Sequence, residues 1–158
     1  LELKDGFILY HGSYCEVKEP DLAKCAKRKD FGQGFLFNYI KGAGRKFLRT
    51  SIVKAIATGT IEEGQKFGYI QLLNSNFQKI LKRNFENADV DWLHCIAAHR
   101  KKKMFIEVER EMAKYDIIAG KIADDATNAT LTAYLAGAFG TADDKVADDF
   151  MYQTVAAE

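Results

Sequence analysis

Short apolar runs alternate with longer amphipathic segments along this chain. Residues 6–11, 35–38, 67–73, 77–81 and 115–119 are each brief, rich in aliphatic and aromatic residues, and bounded by glycine or polar turn residues. Buried strands have this pattern. It predicts five short strands that gather into two small sheets enclosing a cleft, which is an α+β arrangement and not a regular parallel sheet.

Two of these strands are expected to form a hairpin. Asn74, Ser75 and Asn76 separate the 67–73 run from the 77–81 run, and their side chains favour turns. Pro20 opens a stretch that is a short helix at best and leads into a surface loop at Arg28–Asp30.

Helical spacing of apolar residues marks the longer segments. The first runs from about Lys41 to Thr58, with Gly59 placed to end it. Its apolar positions are Leu48, Ile52, Val53 and Ile56. Two further helical patterns lie near the end of the chain: one covers 126–136 before Gly137, and the other starts near 142.

A second helix is predicted to begin at Asp89, whose side chain can cap it. Trp92, Leu93, Ile96 and Ala97 share its inner face. The helix runs toward the cationic stretch 99–103, where the helix dipole favours positive charge. The basic run is explained in this way without a ligand.

Composition narrows the class of protein. The 158 residues suit one domain; 47% are hydrophobic, 28% are charged, and the net charge is +1. No apolar run approaches the length of a membrane span, and three cysteines without metal-site spacing indicate reduced thiols. We therefore expect a cytoplasmic domain with neither a membrane partner nor a bound metal.

The chemistry is expected where the first strand ends, at Tyr10, His11, Gly12 and Ser13. A neutral imidazole can hydrogen-bond a sugar hydroxyl, and glycine lets main-chain N–H and C=O groups reach a flat amide. The alternative is an ordinary His-Gly pair closing a core strand. Gly32 and Gly34, before Phe35 and Phe37, similarly permit a ligand to approach the backbone.

Five blocks in order carry a resemblance to a known group. They are Leu9–Ser13, Pro20–Leu22, Asp30–Phe35, Trp92–Leu93 and Tyr115–Asp124. In them the chain resembles bacterial ADP-ribosyltransferase-like proteins of an uncharacterised family, which are distantly related to diphtheria toxin and the poly-ADP-ribose polymerases. The resemblance implies a split β-sandwich with flanking helices that binds NAD, the ADP-ribose donor, between two sheets.

The resemblance also assigns roles to residues. His11 would be the catalytic residue that holds the nicotinamide ribose, and Gly12 would meet the nicotinamide amide through its backbone. The other residues implied at the NAD site are Tyr10, Ser13, Gly32, Gly34, Phe35, Leu36, Phe37 and Phe47. Related enzymes carry a tyrosine beside the nicotinamide where Leu36 stands, and a second aromatic eleven positions later, which here is Phe47. Leu36 lacks the flat stacking surface of tyrosine.

A late glutamate or glutamine completes such sites by stabilising the oxocarbenium-like state in which the bond to nicotinamide breaks. We expect the strand that carries it to follow Glu158, so the single domain would be truncated at its C-terminus. Glu107 and Glu109 are interpreted as a solvated helix face and not as a catalytic pair. Asp124 and Asp125 are interpreted as helix caps.

Three functions remain open from the sequence. The first is an NAD-dependent ADP-ribosyltransferase, acting as a toxin that is paired with an antitoxin and modifies a protein or nucleic acid. The second is a catalytically degenerate domain of the same fold that binds a partner or nucleotide, which Leu36 favours. The third is nucleic-acid binding through the basic runs 27–29 and 100–103, which lack interleaved aromatic residues.

Overall fold

The computed structural model describes residues 4–64, 68–73, 80–123, 125–141 and 145. The fold is mixed α and β. The strands are β1 (Ile8–Ser13), β2 (Gly68–Leu73), β3 (Lys82–Asn84) and β4 (Ile117–Ala119). The α-helices are α1 (Lys41–Ala57), α2 (Val90–Arg100), α3 (Ile106–Met112) and α4 (Asp125–Leu135), and a 3-10 turn covers Leu22–Lys24.

The chain divides into two compact units, which we describe separately. The β1 unit comprises Glu2–Cys25 and Phe35–Lys79, and therefore contains β1, β2 and α1. The α2 unit comprises Ala26–Gly34 and Ile80–Glu158, and contains the remaining strands and α-helices.

In the β1 unit, β1 and β2 pair in antiparallel register, with His11 opposite Ile70 and Gly12 opposite Tyr69. Helix α1 packs on β1 through its buried positions Gly44 and Leu48. The predicted helix over 41–58 is confirmed, and Gly59 ends it in a left-handed conformation with φ +66°.

The α2 unit holds the main hydrophobic core. Its centre is the inner face of α2, because Trp92, Leu93 and Ile96 are almost completely buried there. Leu131 and Tyr134 of α4 pack into the same core. The predicted cap is confirmed: Asp89 Oδ1 accepts a hydrogen bond from Trp92 N at 3.0 Å.

A buried ion pair joins distant parts of the α2 unit. Asp30 accepts from Nε and Nη2 of Arg100, the last residue of α2, and its other oxygen accepts from Ala123 N at 2.9 Å. Arg100 also donates to the Asn128 side chain of α4. Basic residue Arg100 is thus satisfied within the protein and is not part of a free cationic surface.

Two strand predictions need correction. The 35–38 segment is not a strand, since it makes a single bridge, from Asn38 to Tyr10. Ile80 and Leu81 are not a strand either, and the short β3 follows them and pairs in parallel with β4. The rest of the predicted hairpin, residues 74–79, lies outside the described residues.

Strand β4 falls within the 115–119 run, as expected, although it begins only at Ile117. The helix predicted near 126–136 is confirmed as α4, with Gly137 beyond it at φ +81°. Asp124 and the helix predicted from about 142 fall outside the described residues. No described helix is both long and apolar enough to cross a membrane.

Candidate functional site

The geometry of the candidate site follows from how β1 uses its two edges. Tyr10 exchanges both main-chain hydrogen bonds with Asn38, at 2.7 and 2.8 Å. Bonded pairs alternate along an antiparallel ladder, so His11 bonds toward β2 while Tyr10 and Gly12 direct their polar groups to the opposite edge. The first strand therefore carries an imidazole and an outward-facing glycine backbone side by side.

His11 is held in one orientation. Its Nδ1 lies 2.8 Å from the carbonyl oxygen of Leu36, and because a carbonyl can only accept, Nδ1 carries the proton and donates. In the neutral ring, Nε2 then has a free lone pair, and no described residue hydrogen-bonds to it. This nitrogen can accept a hydrogen bond from a ligand hydroxyl.

Aromatic rings fix the plane of the imidazole. The Phe35 ring lies 4.0 Å from the His11 ring between centroids, tilted by 35°, and Phe37 meets it edge-on at 6.3 Å. The two phenyl rings also contact each other at 5.0 Å. The rings and the Leu36 carbonyl together leave the His11 side chain little rotational freedom.

Gly12 lies where the ladder with the 35–38 segment stops. If that ladder continued past the Tyr10–Asn38 pair, Leu36 would be the next residue to bond Gly12. The Leu36 carbonyl instead accepts from His11. Gly12 is buried, and within the described chain its N–H and C=O have no partner at this edge. A main-chain donor and acceptor side by side are the groups that a ligand amide can bind.

Gly12 also has a structural reason to be glycine. A Cβ built on it would stand 2.6 Å from the Gly44 carbonyl oxygen and 3.0 Å from Leu48 Cβ, both on α1. The absent side chain lets α1 approach the strand closely. The close approach of α1 involves the side of Gly12 where a Cβ would stand, whereas ligand binding involves its main-chain N–H and C=O. Both interpretations are compatible with the geometry.

Ser13 closes β1 and is buried. Its hydroxyl oxygen accepts from Cys15 N at 3.2 Å and lies 3.4 Å from the Cys15 thiol. This local turn sets the direction in which the chain leaves the strand. Ser13 therefore shapes the end of the strand next to the site.

Three further residues were predicted for this site, and each has its own surroundings. Phe47 is on α1, which packs against the Gly12 side of β1; it is 37% exposed and is not among the described ring contacts of His11. Gly32 and Gly34 belong to the α2 unit. There, Gly32 has φ +85°, and a Cβ on it would meet the His99 ring at 2.8 Å. Gly34 has open space beside it.

Two glutamates and a cysteine that could be reactive have structural explanations. Glu107 and Glu109 are exposed on α3, as predicted for a solvated face, and Glu107 pairs with Arg110. Cys95 is completely buried, and this burial raises its pKa to about 12. No group of three metal-ligating side chains occurs among the residues that the structure describes.

Sequence reasoning missed two features around the candidate site. The contact between His11 and the Leu36 carbonyl joins residues 25 positions apart, and no local pattern signals such a bond. The interruption of the ladder at Gly12 was likewise hidden, because the alternating Phe35-Leu36-Phe37 segment has the pattern of a regular strand.

The chain belongs to the family described as "Protein of unknown function (DUF3990)", whose model matches residues 7–157. No curated protein and no solved structure matches the chain significantly. The family description carries no activity, so the site itself has to supply the argument for function.

Proposed function

We propose that this chain binds NAD at the His11–Gly12 end of β1 and is an NAD-dependent ADP-ribosyltransferase acting on a macromolecular acceptor. The observation that carries the proposal is an oriented imidazole acceptor beside a main-chain N–H and C=O, those of Gly12, that have no partner at the outer edge of β1 among the described residues. A primary amide needs one acceptor and one donor, and a ribose needs a hydroxyl acceptor.

Strand β1 carries donor and acceptor groups of the kinds that this ligand needs. Gly12 offers the nicotinamide amide its carbonyl as acceptor and its N–H as donor, and His11 Nε2 accepts from a ribose hydroxyl. Phe35 and Phe37 pack against the imidazole. Bond cleavage between ribose and nicotinamide develops positive charge on the sugar, so a binding mode that fixes ribose relative to the leaving group contributes to rate.

A second candidate is a degenerate domain that binds nucleotide without turnover. Leu36 favours it, because the side chain beside the imidazole is aliphatic and its carbonyl is already committed to His11. An aromatic ring here would stack on nicotinamide for roughly 1 kcal/mol, or about a fivefold gain in affinity. The two candidates share the binding site and differ only in turnover.

Calorimetric titration with NAD and a nicotinamide-release assay test the proposal. His11→Ala should weaken NAD binding by about tenfold, since one oriented hydrogen bond is lost. Leu36→Tyr should strengthen it by about fivefold. His94→Ala is the matched control, because His94 stacks on Phe105 in the α2 unit at 4.1 Å.

Thermal melts of all variants separate binding defects from unfolding. Binding without nicotinamide release would favour the degenerate domain over the transferase. No heat from NAD at millimolar concentration, or equal affinity of the parent and His11→Ala, would contradict the proposed site.

A further inference from the structure

Helix α1 has an unusual distribution of charge. Its 17 residues include five cations, Lys41, Arg45, Lys46, Arg49 and Lys54, and no acidic residue. All five are exposed, and none forms an ion pair within the described chain. We call these five residues, together with the exposed aromatics Tyr39 and Phe47, the α1 basic face.

The cations repel one another in the absence of a partner. Lys41 and Arg45, and then Arg45 and Arg49, are four residues apart on the helix, a spacing at which like charges destabilise it. Lys41 also stands in the first turn, where the helix dipole disfavours positive charge. An external polyanion would relieve both effects.

Several cations elsewhere in the described chain are paired. Arg100 is paired with the buried Asp30, while Arg110 and Lys114 of the α3 region each pair with a glutamate three residues earlier. Among the described α-helices, α1 is the one that carries several cations and no carboxylate to pair with them.

Exposed aromatic side chains accompany this charge. Tyr39, just before α1, is 54% exposed, and Phe47 is 37% exposed and next in sequence to Lys46. The basic runs at 27–29 and 100–103 have no such aromatic residues interleaved. Cations that track phosphates, together with aromatic surfaces on which bases stack, are the combination used to bind single-stranded nucleic acid.

We infer that the α1 basic face binds single-stranded nucleic acid. Arg45 and Arg49 contact the phosphate backbone on one flank of the helix, and Lys46 continues this contact across the exposed side toward Phe47, which supplies a stacking surface for a base. The helix spans about 25 Å, which corresponds to several nucleotides of an extended strand. This surface does not depend on NAD, and it gives the chain a class of partner that the NAD site alone does not specify.

Fluorescence anisotropy with a labelled 20-nucleotide single-stranded RNA, and with DNA of the same sequence, tests this inference in the absence of NAD. Arg45→Gln combined with Arg49→Gln should weaken binding by about tenfold or more at 0.1 M salt. It should also reduce the slope of log K against log salt by about 1.4, the loss of two phosphate contacts. Phe47→Leu should weaken binding by about fivefold or more with the slope unchanged.

Lys102→Gln combined with Lys103→Gln is the matched control, because it removes the same charge from exposed positions outside α1. It should leave the affinity within twofold of the parent. Equal losses in the α1 and control variants, or no salt-dependent binding by the parent, would overturn the inference. The inference would also be overturned if the α1 variants lost binding only to vesicles containing phosphatidylserine, because the partner of α1 would then be a membrane. NAD titrations of the same variants show whether the NAD site is intact, so that the two proposals can fail independently.

Discussion

At the scale of single residues, the orientation of His11 depends on an unusual use of a neighbouring carbonyl. The Leu36 carbonyl accepts a hydrogen bond from the His11 imidazole and does not bond Gly12, which would be its partner if the ladder continued. One bond therefore has two effects: it fixes which ring nitrogen is the acceptor, and it leaves the edge of Gly12 unpaired. A side-chain substitution at Leu36 keeps this bond, because the bond is made by the backbone.

Gly12 is expected to tolerate no side chain. In Gly12→Ala, the new Cβ would stand 2.6 Å from the Gly44 carbonyl oxygen, and backbone cannot move aside as a flexible side chain can. Overpacking of this kind costs about 1–3 kcal/mol, which urea denaturation would measure. Gly42 lies on α1, as Gly44 does, and a Cβ built on it meets nothing within 4 Å. Gly42→Ala should therefore stabilise the protein by up to about 1 kcal/mol. If Gly12→Ala left the free energy of unfolding unchanged, the close packing of α1 on β1 would be refuted.

Cys95 should make stability depend on alkaline pH. Burial raises its pKa from 9.0 to about 12 in the folded state, so the thiol ionises more readily when the chain unfolds. Its contribution is fully present below pH 9 and is lost as the pH rises toward 12. Between pH 8 and pH 10 the free energy of unfolding should fall by about 1 kcal/mol more in the parent than in Cys95→Ala. Equal pH dependence of the two proteins would rule this out.

At the scale of elements, the helices were predictable because their signals are local. The cap at Asp89, the apolar face of α2 and the glycines after α1 and α4 all lie within a turn or two of the helix they define. The basic face of α1 could also have been found by counting charges over 41–57. Its importance became clear only when the structure left those charges unpaired.

The strands were less predictable because their partners are distant in sequence. Lys82–Asn84 has no strand pattern at all, yet it forms β3 because β4 pairs with it across more than 30 residues. The 35–38 segment has the pattern but not the structure, since His11 takes the carbonyl that a ladder would use. Long-range contacts override local preference in both cases. The ion pair between Asp30 and Arg100 could not be predicted from the sequence either, because it joins residues 70 positions apart.

Breaking that ion pair should strongly destabilise the α2 unit. Asp30→Ala leaves the Arg100 guanidinium partly buried without its carboxylate and leaves Ala123 N unsatisfied. Breaking a buried pair in this way costs about 3–5 kcal/mol, and chemical denaturation would measure it. Glu107→Ala removes the exposed Arg110 pair and should have a barely measurable effect. Similar costs for the two variants would contradict the structural role of Asp30.

At the scale of the whole molecule, burial is unevenly shared between the two units among the side chains whose burial the structure describes, which do not include those of β2. The described core cluster lies entirely in the α2 unit, around Trp92 and Leu131. Outside β2, the buried apolar side chains in the described part of the β1 unit are Leu48, Ala55 and Ile61. Since apolar burial is the main stabilising contribution, the β1 unit should open at a lower free energy than the α2 unit.

Hydrogen exchange measured by mass spectrometry tests this difference and its link to function. Peptides from β1 and α1 should exchange faster than those from α2 and α4, because their local opening exposes less apolar surface. NAD binds only the closed β1 unit under the proposed function, so at a hundred times its Kd it should slow exchange in β1 by about a hundredfold. Exchange in α2 should hardly change if the two units open independently. Equal slowing everywhere would mean that they open together, and no slowing in β1 would place any bound NAD away from His11.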